Sequence, residues 1–213
     1  MKTVFFDLDG TLTESGTGIT RSAAYALRKF GIEETDQKKL DRFVGPPLIE
    51  SFTRFYGFDM EKTMEAVGYF RKYFSTIGIF ENAVYDGVEE MLQTLCDHGI
   101  RCVIATSKPE RFAVQVLEHF GLERYFSAVA GATMDESRTD KADVIAYALE
   151  KTGLTSRDDI VMVGDREHDI IGARKNNLPA IGVLYGYGSR EELEQAGAVA
   201  IAETPMDLPG LLL

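Results

Sequence analysis

Asp7 and Asp9 stand two residues apart in the run Asp7-Leu8-Asp9-Gly10-Thr11-Leu12-Thr13, which directly follows the apolar stretch Val4-Phe5-Phe6. Alternation along a strand sends residues two apart to the same side, so both carboxylates are expected to project into one site at the end of a buried strand. Strand ends in parallel sheets are where ligands bind. Of two such acids, one can attack while the other moves protons, and this suits phosphoryl transfer through an aspartyl-phosphate. Gly10 allows the backbone a tight departure, and Thr11 offers a hydroxyl beside a charged group without adding bulk. Asp-x-Asp-Gly is also an ordinary surface-turn composition. Two adjacent carboxylates at the end of an apolar strand repel each other unless a cation or a shared proton relieves them, and that favours a site over a turn.

Three later segments supply what the first lacks. In Thr106-Ser107-Lys108-Pro109 a strand is expected to end in hydroxyls and Pro109 to begin a helix, so that backbone N–H groups face the strand terminus and can hold phosphate. A simple N-cap role explains the same residues locally. Lys141, after Thr139-Asp140 and opening a helix, can neutralise both a nucleophile and a phosphate if it is fixed near the sheet edge; otherwise it belongs to a solvated face. In Gly164-Asp165-Arg166-Glu167-His168-Asp169, Asp165 is expected at a strand end with Asp169 one helical turn further on. Together with Asp7 they can complete a hard, oxygen-rich magnesium site. Glu167 and His168 point at other angles and read as an exposed helix start.

The elements that must position these residues follow a βα rhythm after residue 82. Val88, Met91, Leu92 and Leu95 recur at helical spacing, Gly99 stops that helix, and 101–105 reads as a buried strand. Helices are expected over 112–120, 141–151 and 167–177, and strands over 127–130, 160–163 and 180–184, with Ser189 and Glu192 forming a capping box. The fold class is therefore α/β, a doubly wound parallel sheet with a Rossmann-like core. Residues 15–82 break the rhythm with aromatic-rich helical patterns over 19–30, 50–56 and 61–74, and read as an inserted α-helical cap domain, leaving 1–14 and 83–213 as the core. Phe52, Phe55, Tyr56, Phe58, Tyr69, Phe70 and Phe74 can form the cap's own core or an interface, and the core is the expectation. Gly45-Pro46-Pro47 marks a break, either a plain connector or a turn that shapes the substrate pocket.

The chain has 213 residues, 45% hydrophobic and 27% charged, which is ample for a core. A net charge of −11 argues against binding nucleic acid polymers or anionic membranes, since both require a cationic surface. No apolar run approaches the roughly 20 residues that span a bilayer, and the N-terminus enters Val4-Phe5-Phe6 without a signal-peptide core, so a cytoplasmic location is the expectation. Cys96 and Cys102 read as buried thiols rather than a disulfide framework. His98, His119 and His168 lack metal-ligand spacing and read as surface or cap-facing residues.

The four motifs, in this order and each at a strand end or helix start, resemble those of the haloacid dehalogenase-like superfamily, in its phosphatase branch with a helical cap after the first motif. The resemblance covers essentially the whole chain. It implies Asp7 as nucleophile and Asp9 as general acid and base, Thr106, Ser107 and Lys141 as phosphate-binding residues, and Mg²⁺ held by Asp7, Asp165, Asp169 and the Asp9 carbonyl. Dehalogenases of the superfamily lack the second Asp of the first motif and need no metal, so Asp9, Asp165 and Asp169 speak against dehalogenation. Residues 43–48, 105–109, 141–149 and 184–193 are similar to the bacterial 5′-nucleotidase-like group, and phosphoglycolate phosphatases are similar too. The resemblance thus implies a small phosphate ester as substrate, nucleoside monophosphates first and phosphoglycolate second; the sequence leaves monomer and homodimer open. A phosphomutase of the same superfamily uses the same Asp pair.

Overall fold

The computed structural model describes residues 2–135 and 137–213. The chain forms two compact units, one from the segment up to Thr13 together with Val84–Leu213, the other from Glu14–Ala83. β1 (Thr3–Phe6) opens the first unit, and β2 (Thr13–Glu14) carries the chain into the second. The second unit is helical, with α1 (Gly16–Arg28), α2 (Gln37–Leu40), α3 (Leu48–Tyr56) and α4 (Met60–Phe74), before β3 (Ala83–Val84) leads out.

Inside this helical unit, α1 begins three residues earlier than the apolar pattern suggests. Its first turn carries Gly16 and Gly18, poor helix formers, and tertiary packing overrides propensity here. A Cβ on Gly18 would meet the Gly78 carbonyl oxygen at 1.9 Å, so α1 and the 3₁₀ turn Gly78–Phe80 approach closer than a side chain allows. α3 ends at Gly57 in the left-handed region, and Asp59 then caps α4 by accepting from the Lys62 N–H. The aromatic residues form the unit's core as expected: Phe52, Phe58, Phe70 and Phe74 are buried, with Phe55, Tyr56 and Tyr69 half-buried around them. Phe52 stacks on Phe58 at 5.9 Å and meets Phe43 edge-on at 4.9 Å. α2 and the 3₁₀ turn Asp41–Phe43 were too short to leave a periodic signal.

The first unit resumes with α5 (Val88–Asp97), β4 (Arg101–Pro109), α6 (Glu110–Phe120), β5 (Phe126–Ala132), α7 (Lys141–Thr152) and β6 (Ile160–Gly164). It closes with α8 (Glu167–Lys175), β7 (Ala180–Val183), α9 (Arg190–Ala196), β8 (Ala200–Ala202) and α10 (Leu208–Leu212). With β1 these strands make one sheet in the order β5-β4-β1-β6-β7-β8, each parallel to its neighbours, and β2 pairs with β3. Phe5, Val103, Ala105 and Met162 present one face to Val144, Ile145, Ala148, Ile170 and Leu193 from α7, α8 and α9. Val4, Phe6, Cys102 and Ile104 alternate to the other face and are equally buried, while α5 and α6 pack on β4 and β5. The sheet is therefore covered on both sides, as the βα rhythm requires.

Two expectations need correction. β4 does not stop at Ala105: it runs on through Pro109, and α6 starts at Glu110, so Pro109 is the residue before the helix rather than its first turn. Regular pairing with β5 slips between Thr106↔Gly131 and Pro109↔Ala132, which places Ser107 and Lys108 in a bulge. The Ser189–Glu192 capping box is only half formed. Ser189 Oγ accepts from the Glu192 N–H, but the Glu192 carboxylate turns to Arg166 and the Glu167 N–H, charged and aligned partners that outcompete a return bond to Ser189.

Candidate active site

β1 pairs with β4 on one side and β6 on the other, in register from Thr3↔Arg101 and Thr3↔Ile160 to Phe6↔Ile104 and Phe6↔Val163. β1 and β6 end nearly level while β4 runs on past them, and the chain leaves β1 in one direction along the sheet before returning to its other side. Such a point of reversal opens a crevice above the strand ends. Asp7 is the first residue beyond β1, tied by its N–H to the Val163 carbonyl at 2.9 Å. Asp9 also lies beyond the strand, so a tight turn, not strand alternation, sets its direction: the Leu12 and Thr13 N–H groups both donate to the Leu8 carbonyl, and Gly10 sits at φ +83°.

Lys141, the first residue of α7, is buried at the centre of the site. Its Nζ lies 2.9 Å from Asp7 Oδ1, 2.7 Å from Asp169 Oδ1 and 3.2 Å from the Ala105 carbonyl, to which it donates. Burial alone pushes the ammonium pKa down, but Asp169 and Asp7 more than offset this and hold it above the usual lysine range. Asp169 Oδ2 accepts from the Arg166 N–H at 3.1 Å, which fixes the start of α8. Asp165 is wholly buried and accepts from Tyr187 N–H at 2.9 Å and Thr11 Oγ1 at 3.4 Å. Burial, then the negative charges of Asp169 and Asp7, raise its pKa well above the ordinary carboxylate value.

Asp7, Asp165 and Asp169 bring one oxygen each to within 4.8 Å of one another. Glycines make this approach available. A Cβ on Gly164 would fall 2.2 Å from Asp169 Cγ, and one on Gly186 would fall 2.3 Å from the Gly10 carbonyl oxygen and 2.4 Å from Asp165 Cβ. Thr106 is buried at the foot of the bulge, where its hydroxyl accepts from the Lys108 N–H at 3.2 Å, while the Leu8 N–H donates to Asp7 Oδ1 at 2.8 Å. Ser107 is half-buried beside it. The Asp9 carboxylate stands apart from the three-acid cluster: Lys108 Nζ donates to both of its oxygens at 2.8 Å.

Burial pushes the Asp7 carboxyl up to about 6, against the opposing pull of Lys141 and with Asp169 adding to the rise. A folded-state pKa above the unfolded value means that the native protein holds this proton more tightly between about pH 4 and pH 6, so stability falls as pH rises through that window. In metal-free buffer near neutral pH, Asp7→Asn is therefore expected to melt above the parent protein, by an amount equivalent to roughly 3 kcal/mol at most. Near pH 4 the difference should shrink towards zero. Thermal melts of both proteins in chelator at the two pH values check this.

A family model described as haloacid dehalogenase-like hydrolase matches residues 4–183. The chain belongs to the haloacid dehalogenase-like hydrolase family. It is 51% identical to a predicted phosphatase from Clostridium acetobutylicum, whose crystal structure aligns with a TM-score of 0.96 over 99% of this chain and 97% of that one. It is 44% identical over 190 residues to a 5′-nucleotidase of Pseudomonas aeruginosa, covering 89% of this chain and 86% of that protein. A tyrosine-protein kinase PtkA of Mycobacterium tuberculosis is 38% identical over 199 residues, covering 93% of this chain and 67% of that protein.

In this haloacid dehalogenase-like hydrolase, sequence reasoning placed Asp7, Thr106, Lys141, Asp165 and Asp169 at strand ends and helix starts that the fold does bring together. It missed Lys108 as the partner of Asp9, and Glu192 as the residue that holds the loop between Asp165 and Asp169. Glu192 Oε1 accepts from Arg166 Nε at 2.8 Å and from the Glu167 N–H at 2.9 Å. Burial alone would raise the Glu192 pKa, but these bonds and the Arg166 charge hold it below the usual range. His98 and His119 are exposed and His168 is half-buried, and none joins the acidic cluster found among the described residues. Cys102 is buried, as expected, whereas Cys96 is half-buried. Among the described residues no helix is long and apolar enough to cross a membrane.

Proposed function

We propose that this enzyme is a Mg²⁺-dependent phosphatase that passes the phosphoryl group of a small monoester through Asp7, with nucleoside monophosphates as its preferred substrates. The observation that carries the reading is a buried carboxylate at the end of β1, gripped by Lys141 and facing two further buried acids. The 5′-nucleotidase relative supports the choice of substrate.

The donor set fits a hard divalent cation. Asp7, Asp9, Asp165 and Asp169 are opposed at close range by Lys108 and Lys141, an excess of two carboxylates in a largely dry site. Asp7, Asp165, Asp169 and the Asp9 carbonyl would hold Mg²⁺, which when bound supplies positive charge against the charge that develops on the phosphoryl oxygens. Lys141 and the Leu8 N–H orient Asp7, and Thr106, Ser107 and Lys141 offer donors to the non-bridging oxygens. In the first step an Asp7 oxygen bonds to phosphorus, the bond to the ester oxygen breaks, and Asp9 gives that oxygen a proton. In the second step water attacks phosphorus, its proton passes to Asp9, and the bond to Asp7 breaks to release phosphate. Positioning and electrostatics carry most of the rate in such a transfer.

The substrate is tested by phosphate release, with and without Mg²⁺, from nucleoside monophosphates, phosphoglycolate, sugar phosphates, pyrophosphate and phosphotyrosine. Selective turnover of nucleotides is expected, and a preference for any other member of the panel contradicts that choice. The support given by Glu192 is a separate matter. Glu192→Ala is expected to weaken Mg²⁺ binding about tenfold, the usual cost of losing an outer-shell partner, as read by calorimetric titration.

A further inference from the structure

Lys108 is a charged residue whose place in the site no motif explained. It is buried, its backbone N–H is held by Thr106 Oγ1, and its Nζ reaches both oxygens of a carboxylate 99 residues away in sequence. The bulge in β4 makes this geometry. Beyond Thr106 the strand leaves regular register with β5, and Ser107 and Lys108 are the two residues that pairing skips. The turn that follows is packed tightly: a Cβ on Gly131 would lie 2.5 Å from Glu110 Cα and 2.8 Å from the Lys108 carbonyl oxygen. Lys108 is thus anchored on a rigid element, which gives a precise grip on its partner.

The Asp9 carboxylate is held from outside its own turn. Asp9 lies past the end of β1 in a turn that begins at Leu8, its side chain is 15% exposed, and among the described residues the hydrogen bonds to its carboxylate come from Lys108 alone. The site divides its two cations by task. Lys141 holds Asp7 and Asp169, whereas Lys108 holds both oxygens of Asp9. We infer that Lys108 is a positioning residue for proton transfer: it fixes the direction of the Asp9 carboxylate towards the ester oxygen, and so controls how well poor leaving groups are protonated. This rests on the reading of Asp9 as the proton donor. A group that acts through proton delivery matters most where the leaving oxygen is a strong base, as in the 5′-alkoxide of a nucleotide, and least where it departs as a stabilised anion, as in p-nitrophenolate.

The test is kcat/KM for a nucleoside monophosphate and for p-nitrophenyl phosphate, in the parent protein, Lys108→Met, Asp9→Asn and the double variant. kcat/KM reports steps up to the first irreversible one, so breakdown of the phospho-enzyme does not enter. Lys108→Met is expected to lose at least about tenfold more on the nucleotide than on the aryl ester, in the same sense as Asp9→Asn. The double variant is expected to lose no more than Asp9→Asn alone, because both changes remove one function. If the Met variant does not fold, Lys108→Arg, which keeps the charge but displaces the nitrogen, must show the same selective loss in smaller measure. An equal loss on both esters, or a uniform rise in KM, would make Lys108 a direct phosphate ligand and overturn the inference. An Asp9→Asn variant without leaving-group selectivity, beside an active parent, would remove its basis. A parent protein inactive on every ester would instead defeat the proposed phosphatase function, and this inference with it.

Discussion

Asp7→Asn should lower phosphate release by at least about a thousandfold while leaving a folded protein, because an amide cannot become the acyl-phosphate and no neighbouring group can replace it. Asp165 and Asp169 are buried and constrained, the first by Tyr187 and Thr11, the second by Lys141 and the start of α8. Asp9 lies against Lys108. The loss should appear in kcat/KM for every ester in the panel, aryl and alkyl alike, since all must pass through the same nucleophile. The same substitution is expected to stabilise the metal-free protein near neutral pH, since it removes a carboxylate that burial keeps uncomfortable when ionised. A variant that is both more stable and inactive is the signature of a strained catalytic group, and a contaminating phosphatase would leave the rate unchanged.

The second large effect belongs to Lys141. Lys141→Met keeps much of the buried stem but strips the site of the charge between Asp7 and Asp169, which lie 2.9 and 2.7 Å from Nζ. Breaking a buried ion pair from one side leaves uncompensated charge, and the usual cost is about 3–5 kcal/mol. The Ala105 carbonyl also loses its donor. A lower melting temperature near neutral pH is therefore expected, with the deficit shrinking in acid as the carboxylates take up protons. Mg²⁺ should raise the melting temperature of this variant more than that of the parent, since a divalent cation answers the same excess of negative charge. Activity with saturating Mg²⁺ should still fall at least about a hundredfold, because the ammonium is also a fixed positive charge against the reacting carboxylate. Melts with and without Mg²⁺, set beside kcat, separate the two contributions.

Much of this site was legible because its residues sit where regular structure begins or ends. Asp7 follows an apolar run, Lys141 opens an amphipathic helix behind an Asp N-cap, and Asp165 and Asp169 bracket the start of α8. Each position is announced by local composition, and the parallel sheet then brings the ends of β1 and β6 nearly level. Lys108 was not legible for the opposite reason. A lysine before proline reads as a helix-start residue, and nothing local reports the bulge that extends β4 or the partner far away in sequence. The one available signal was alternation from Thr106, which places Lys108 on the same side if the strand runs on. Glu192 was read through its local pattern with Ser189, but a stronger charged partner lay on another element. β8, α2 and α10 have three to five residues each, too few for a period to show. The early start of α1 came from the close approach of Gly18 to Gly78, which only the assembled helical unit reveals.

The covalent step is tested most directly by rapid quench of the enzyme with a nucleoside monophosphate labelled with ³²P on its phosphate, in the presence of Mg²⁺, followed by peptide mapping. Label is expected on the peptide that contains Asp7, released by hydroxylamine as an acyl phosphate should be, and absent from Asp7→Asn. Turnover of the nucleotide with no labelled protein at any quench time, or with label on another peptide, would contradict the assignment of Asp7 as the nucleophile.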